Sequence, residues 1–447
     1  MVKHRSAVMA GMVIALAGMC YADWPQYLGP ERNATSTETG LARSWPAEGP
    51  QVLWTIPMGK GYGGAAVSGD KVYVLDREGN ETDILRCLDL ETGQEQWTFS
   101  YAAPGRLSHA GARVVPAIDG DSIYICGPFG DLHCVNANTH QSVWSTNIWR
   151  DFGGGRLPRW ALAQNPLVYG DLVIVAIQTP EAGVVAFDKS TGEVRWASAA
   201  FRGRAGYVSP TVVTIAGMDQ IVAISAGNPR RGIFRRGGRA AQDPPQDAKP
   251  PDAEQEQGDG AVMGIDPETG DVLWAYHGWQ CQTPVPNVTA LGDDRLFVTG
   301  GYRAGSALIR VTKHQNAFEI TELLKTQAFG SHIHPAIHYQ GHLYGQCTTN
   351  TGRDDGMVCM DLEGNVKWQT GHSPFFDKGG RILADGMLIS VDGRDGFLYL
   401  IDPSPEAFKP LAKAKLLDTQ TCWAPLALCD GKLLIRDQKQ MKCIDLR

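Results

Sequence analysis

The chain has 447 residues, a formal net charge of −7, 52 glycines and 12 tryptophans. The acidic balance argues against a general nucleic-acid binder, which needs cationic surface to displace counterions. The length exceeds a usual single domain unless structural repeats add one after another, and the glycine and tryptophan content suits a protein made of turns and repeated Trp packing.

Residues Met1 to Ala22 read as a secretory signal peptide: Lys3, His4 and Arg5 supply the positive start, Ala7 to Met19 is apolar but short for a membrane span, and Cys20-Tyr21-Ala22 puts small residues around a cleavage site. The mature chain then begins at Asp23 and is exported to the periplasm or the extracellular space. Lipid anchoring at Cys20 is the alternative, disfavoured by the Met19 that precedes it. No later apolar stretch is long enough to cross a bilayer, so no transmembrane span is expected.

From Gln51 onward one pattern returns. QVLWTIPM ends its run on Trp54, RCLDLETGQEQW on Trp97, HCVNANTHQSVW on Trp144, GVVAFDKSTGEVRW on Trp196, VMGIDPETGDVLW on Trp274 and VCMDLEGNVKW on Trp368. Weaker copies are LIRVTKHQNAF, ending on Phe318, and YLIDPSPEAFKPL, ending near Leu411. A β-branched or aromatic run, an Asp-x-x-Thr-Gly turn and a second run make a hairpin, because the Asp side chain accepts from amides two residues on and the Gly takes positive φ. Preceding segments such as PAIDGDSIYIC, PLVYGDLVIVA and ADGMLISV add two more strands. The unit has four strands over roughly 45 residues, the period of a propeller blade.

The two ends fit ring closure. CWAPLALCDGKLLIRDQKQMKCIDLR supplies three strands and stops where a fourth should begin, while QVLWTIPM is a fourth strand with no first three. The fold expected is all-β, an eight-bladed β-propeller of four-stranded antiparallel blades whose last blade is closed by N- and C-terminal strands, one domain over 23–447. The repeated tryptophans are expected to be structural.

Three features qualify the pattern. Residues 229–260 are basic first, acidic later and nearly free of large apolar side chains, so they read as a disordered insertion between the second and third strands of one blade. Its cluster Arg230, Arg231, Arg235, Arg236 and Arg239 could grip an anion, although a solvated excursion is the plainer reading. Cys87, Cys134, Cys359 and Cys443 share a register occupied elsewhere by Ala186 and Gly264, which calls for a small buried residue rather than a disulfide; Cys126 with Cys134 and Cys347 with Cys359 stay open as pairs. The acidic turn Asp266 to Asp271 lacks the bidentate Glu of a calcium loop and reads as a plain turn.

The repeats, with the mature start DWPQYLGP, resemble the PQQ-like (quinoprotein alcohol dehydrogenase-like) β-propeller repeat family from Trp24 to Arg447 apart from the insertion. That family contains quinone-dependent dehydrogenases and non-catalytic exported propellers, including the outer-membrane assembly lipoprotein of Gram-negative bacteria. The resemblance implies for the dehydrogenases a vicinal Cys-Cys pair, calcium ligands and a catalytic Asp. This sequence has no Cys-Cys dipeptide, so it is expected to follow the non-catalytic branch: no catalytic residue, no metal and no cofactor, with PQQ and calcium as the alternative.

In a ring fold the loops leading into the innermost strands converge on one mouth of the axis. Here they carry Lys60, Tyr62, His109, Arg113, Arg159, Trp160, Asn165, Arg204, Tyr207, Trp279, Gln282, His332, His334, Arg381 and Trp423. Arg forks for an anion and aromatic faces for stacking suit a small anionic or glycan ligand; His332, His334 and His109 lack a fourth ligand and read as rim histidines. The function expected is binding or scaffolding for an envelope protein partner or such a ligand, as a monomer, with a quinone-dependent dehydrogenase using the funnel as the alternative.

Overall fold

The computed structural model describes residues 23–227, 260–315, 317–347 and 355–447. Residues 1–22, read above as a signal peptide and including Cys20, and residues 229–259 of the expected insertion lie outside them.

The turn chemistry sets the local structure. Asp188 Oδ1 accepts from the amides of Ser190 and Thr191 at 2.9 and 3.0 Å, and Gly192, at φ +75°, donates its amide to the Asp188 carbonyl. Asp89 and Asp266 close their turns in the same way. These carboxylate oxygens are occupied by backbone amides, as an Asx turn requires.

Each such hairpin joins the third and fourth strands of a four-stranded antiparallel sheet, and there are eight sheets. Blade 1 runs through Ala65–Ser68, Lys71–Glu78, Thr82–Asp89 and Glu95–Ala102. Blades 2 to 7 occupy 117–147, 167–197, 211–276, 289–326, 337–369 and 381–415. Blade 8 takes Ala427–Cys429, Lys432–Arg436 and Gln440–Asp445 from the C-terminus and Val52–Pro57 from the N-terminus. The closing pair has Val52 opposite Ile444, Trp54 opposite Cys443 and Ile56 opposite Met441. The architecture is therefore the all-β eight-bladed propeller expected, and the only helical element among the described residues is a 3₁₀ turn at Arg150–Phe152.

The shared cysteine register has a packing cause. Cys87 lies opposite Trp97 on one side and Tyr73 on the other; Cys134 sits between Trp144 and Tyr124, and Cys359 between Trp368 and Tyr344. The flanking rings close over it, with centroids 6.0 Å apart for Tyr73–Trp97 and 6.1 Å for the other two pairs. A large residue in the middle strand would force the rings apart, so the position stays small: Ala186 under Trp196 and Gly264 under Trp274, where an added Cβ would fall 2.1 Å from the indole nitrogen. All nine described cysteines are free and buried. The two pairings left open by the sequence do not form, because Cys126 faces Leu132 and Cys347 faces Gly356 across the ladders instead.

Five of the six repeated tryptophans also tie their blade to the next. The indole nitrogens of Trp54, Trp144, Trp196 and Trp368 donate to the carbonyls of Leu90, Lys189, Pro267 and Ser404, which lie in the hairpin turn of the following blade. Trp97 stacks on His140 of the next turn at 4.5 Å. Blade 5 departs from this scheme. Its hairpin is long, Gly305–His314 with Ala317–Thr326, so Phe318 pairs with Lys313 near the tip and Leu324, opposite Leu308, holds the Trp position. With no Asp-x-x-Thr-Gly turn to dock on, Trp274 donates to Gln220 Oε1 of its own blade at 2.6 Å. In blade 7 the equivalent residue is Ala412, one beyond the expected Leu411.

The insertion leaves blade 4 after its second strand, Met218–Ile224, and returns before its third, Val262–Ile265, where the sequence places it. Its stems meet: a Cβ on Gly260 would lie 2.5 Å from the Gly227 nitrogen.

The segment before Val52 crosses the axis. Trp24 exchanges backbone bonds with Val67 of blade 1, Pro25 accepts from Ile118 of blade 2, Arg32 donates to the carbonyl of Pro166 at the head of blade 3, and Ala34 and Ser36 pair with Leu383 of blade 7. Innermost strands present unpaired edges to the channel, and this coil satisfies several of them.

Candidate ligand funnel on the propeller axis

On the side of the coil where the lead-in loops gather, the channel opens into a cavity of about 210 Å³. It is lined from every blade: Tyr62, His109 and Arg113, Trp160 and Asn165, Tyr207 and Ser209, Val285 with Tyr302, His332 to His334, Lys378, and Trp423. Tyr27 of the crossing coil lines it too.

The rings form a near-continuous collar. Trp423 and Tyr62 stand 5.7 Å apart, Tyr62 and His109 6.0 Å, His109 and Trp160 6.2 Å, Trp160 and Tyr302 6.4 Å, and Tyr302 and His332 4.2 Å. Tyr207 braces Trp160 at 5.4 Å and through its hydroxyl, which accepts from the Trp160 amide. Lys378 completes the circuit with Nζ 4.9 Å from the Trp423 ring.

The collar is positively biased. None of the lining residues is acidic, and among the described residues Arg113 has only carbonyl partners, Gly111 and His109. Burial pulls its guanidinium down to about 10, so it stays charged at neutral pH. The imidazoles stay neutral: burial lowers His332 to about 4 and His334 to about 3, and the His334 Nε2 lies 3.1 Å from the Trp423 carbonyl, to which it donates. Lys378 is held by Asp377, which also accepts from Trp423 Nε1.

Of the residues singled out in the sequence, Tyr62, His109, Arg113, Trp160, Asn165, Tyr207, His332, His334 and Trp423 come together on this lining. Six stand elsewhere, Lys60 and Gln282 among them. Arg159 is exposed, 5.8 Å over Trp160; the backbone of Arg204 pairs with Ala226 at the insertion stem; Trp279 is buried between blades and donates to the Gly305 carbonyl; and Arg381 is buried behind the lining, donating to the Pro335 carbonyl. Sequence reasoning missed Tyr302, Lys378 and Tyr27. Tyr302 rides on a turn between second and third strands, outside the lead-in loops, and Tyr27 belongs to a stretch with no blade pattern.

The donor set does not fit PQQ with calcium. Calcium takes several anionic or carbonyl oxygens, yet the lining offers no carboxylate, and the Asn165 amide is committed to Val115 N and Ser209 Oγ. Among the described residues no group of three or more His, Cys, Asp or Glu is placed to hold a metal ion. No helix among the described residues is long and apolar enough to cross a membrane.

The family model described as outer membrane protein assembly factor BamB matches residues 80–259. The resemblance is to PQQ-like repeat propellers. Over 184 residues the chain is 29% identical to the outer membrane protein assembly factor BamB of Burkholderia pseudomallei (strain K96243), a match covering 34% of this chain and 44% of that protein. The protein of that name from Shewanella oneidensis is 26% identical over 162 residues, covering 36% and 39%. The matched stretch thus spans about four-tenths of these relatives. Among solved structures, the quinohemoprotein alcohol dehydrogenase of Comamonas testosteroni superposes with a TM-score of 0.63 at 13% identity, over 95% of this chain and 80% of that one. A europium-containing methanol dehydrogenase gives 0.62 at 13% identity over 94% and 89%, and BamB from Moraxella catarrhalis 0.57 at 15% over 88% and 96%. At these identities the superpositions establish the PQQ-like propeller fold, which both kinds of protein share.

Proposed function

We propose that this chain is a non-catalytic binding propeller of the bacterial envelope, exported to the periplasm or beyond, which holds a small anionic ligand or partner group in its axial funnel. The observation that carries the reading is the collar itself: aromatic rings, most of them from the lead-in loops, surround a cavity with cationic Arg113 and no acidic residue. Such a lining attracts an anion and stacks on a flat face, but supplies no carboxylate to act as base or to hold a catalytic cation. The sequence similarity to BamB supports a scaffolding role in the envelope, and we take the chain to act as a monomer. The dehydrogenase alternative is supported by fold likeness alone, and the donor chemistry runs against it.

The test uses the purified mature protein. Equilibrium dialysis against small carboxylates, phosphates and saccharides should find retention of an anion, and replacing Trp160 with Ala should abolish it; unchanged retention would remove the funnel as the site. In parallel, PQQ with calcium and a dye acceptor should yield no alcohol-dependent dye reduction. Activity in that assay would overturn the non-catalytic reading.

A further inference from the structure

We propose that Tyr27, on the coil that floors the funnel, is the anion-recognising residue of the site, and that it selects a ligand of one aromatic ring bearing a carboxylate. This rests on the funnel being a binding site. Tyr27 is 7% exposed and lines the cavity, yet its hydroxyl has no hydrogen-bond partner among the described residues. A phenol left without a partner at the base of a pocket is a donor awaiting an acceptor.

The surroundings of Tyr27 favour a negative acceptor. Arg32 stands with its guanidinium carbon 5.8 Å from the Tyr27 ring centroid, and the charge of Arg381 also acts on the same phenol. Both arginines are buried, at 3% and 2% exposure, and neither is paired with a carboxylate among the described residues; their bonds go to carbonyls and to Gln26. Arg381 keeps Nε and Nη1 buried without partners. Two guanidiniums without carboxylate partners acting on one phenol give the floor a positive potential, and Tyr27 is the residue through which the floor lines the cavity.

Size and polarity specify the rest of the ligand. A cavity of about 150 Å³ accepts benzene, so 210 Å³ holds one ring with a small charged substituent. A sugar ring would need partners for its several hydroxyls, and three of the lining's polar groups are already committed: Asn165 to Val115 and Ser209, His334 to the Trp423 carbonyl, and Trp423 Nε1 to Asp377. An aromatic face asks for no such partners and stacks on the collar.

Titration calorimetry of the mature protein with benzoate, benzyl alcohol and glucuronate separates the parts. Benzoate should bind one per chain and glucuronate more weakly. Tyr27→Phe keeps the packed ring and removes only the hydroxyl; it should weaken benzoate roughly 10- to 100-fold, the worth of a hydrogen bond to a charged group, and leave benzyl alcohol within about twofold. The benzyl alcohol arm also reports an intact pocket in the variant. Equal benzoate affinity for Tyr27→Phe, or glucuronate binding as tightly as benzoate, overturns this assignment. If benzoate fails to bind while Trp160→Ala still abolishes retention of another anion, the ligand class falls and the funnel stands; if Trp160→Ala changes nothing, the funnel itself falls.

Discussion

Replacing Trp54 with Ala tests the ring closure. The side chain is 7% exposed, lies opposite Cys443 of the C-terminal strand, donates to the Leu90 carbonyl of blade 1 at 2.8 Å and covers Gly93, where a Cβ would come within 2.6 Å of the indole. It therefore links the N-terminal strand, the C-terminal strand and the first blade. Burying ~200 Å² of indole at ~25 cal/mol/Å² is worth up to ~5 kcal/mol, and the lost hydrogen bond adds ~1 kcal/mol. Partial collapse of the cavity returns some of this, so the expected loss is about 4 kcal/mol, within the range for buried Trp→Ala changes. Val52→Ala, on the same strand at 38% exposure, should cost less than about 0.5 kcal/mol. Urea unfolding followed by far-UV circular dichroism reads both, and limited proteolysis should cut Trp54→Ala between 23 and 58 first. If Trp54→Ala unfolds at the same urea concentration as Val52→Ala, the N-terminal strand does not hold the ring and the closure argument is wrong.

Gly192→Ala should cost about 2 kcal/mol or more in the same assay, because it combines φ +75° with a Cβ 2.5 Å from the Trp144 ring; Gly69→Ala, at φ +55° in open space, should cost only about 1 kcal/mol. Asp83→Asn strands the buried Arg77, its partner at 2.6 Å, and should cost about 3–5 kcal/mol, whereas Asp293→Asn on an exposed pair should stay within about 0.5 kcal/mol. Stability should fall as pH drops from about 6.5 toward 4 for His332 and 3 for His334, since the unfolded imidazoles take protons that the buried ones refuse, and recover as pH is raised. His332→Gln should flatten the plot of urea midpoint against pH between 6.5 and 4; an unchanged slope would refute the assignment.

The frame was legible because its determinants are local. Asp188, Thr191 and Gly192 close a turn through bonds spanning a few residues, and the Trp that follows docks on the next copy of that turn. Closure followed from counting strands, and Val52 to Pro57 does pair with Gln440 to Ile444. Blade 5 was misread for the converse reason. Phe318 sits at the right spacing from its turn, but without an Asp-x-x-Thr-Gly sequence the hairpin extends to ten residues a side, and register is then set by packing against blade 4, where Tyr276 donates to Glu322. Disulfide geometry was equally beyond reach, since Cys126 and Cys347 face other residues only once the register is known.

The lining was half legible, and the split has a physical cause. Blade period fixes where a lead-in loop falls, but not which of two neighbours turns to the axis: Trp160 lines the cavity while Arg159 lies outside it, and Trp279 turns into the core against Gly300. The floor could have been suspected. Eight innermost strands leave backbone edges around a channel, and burying those edges unpaired is costly, so some stretch not committed to a blade must cover them. Among the described residues the longest such stretch is 23–51, and its tight coil, with Leu28, Gly29, Arg32 and Ala34 all at positive φ, is shaped to cross rather than to extend. That coil closes the channel and carries Tyr27, so the element that satisfies the inner strands also decides what the funnel meets at its base.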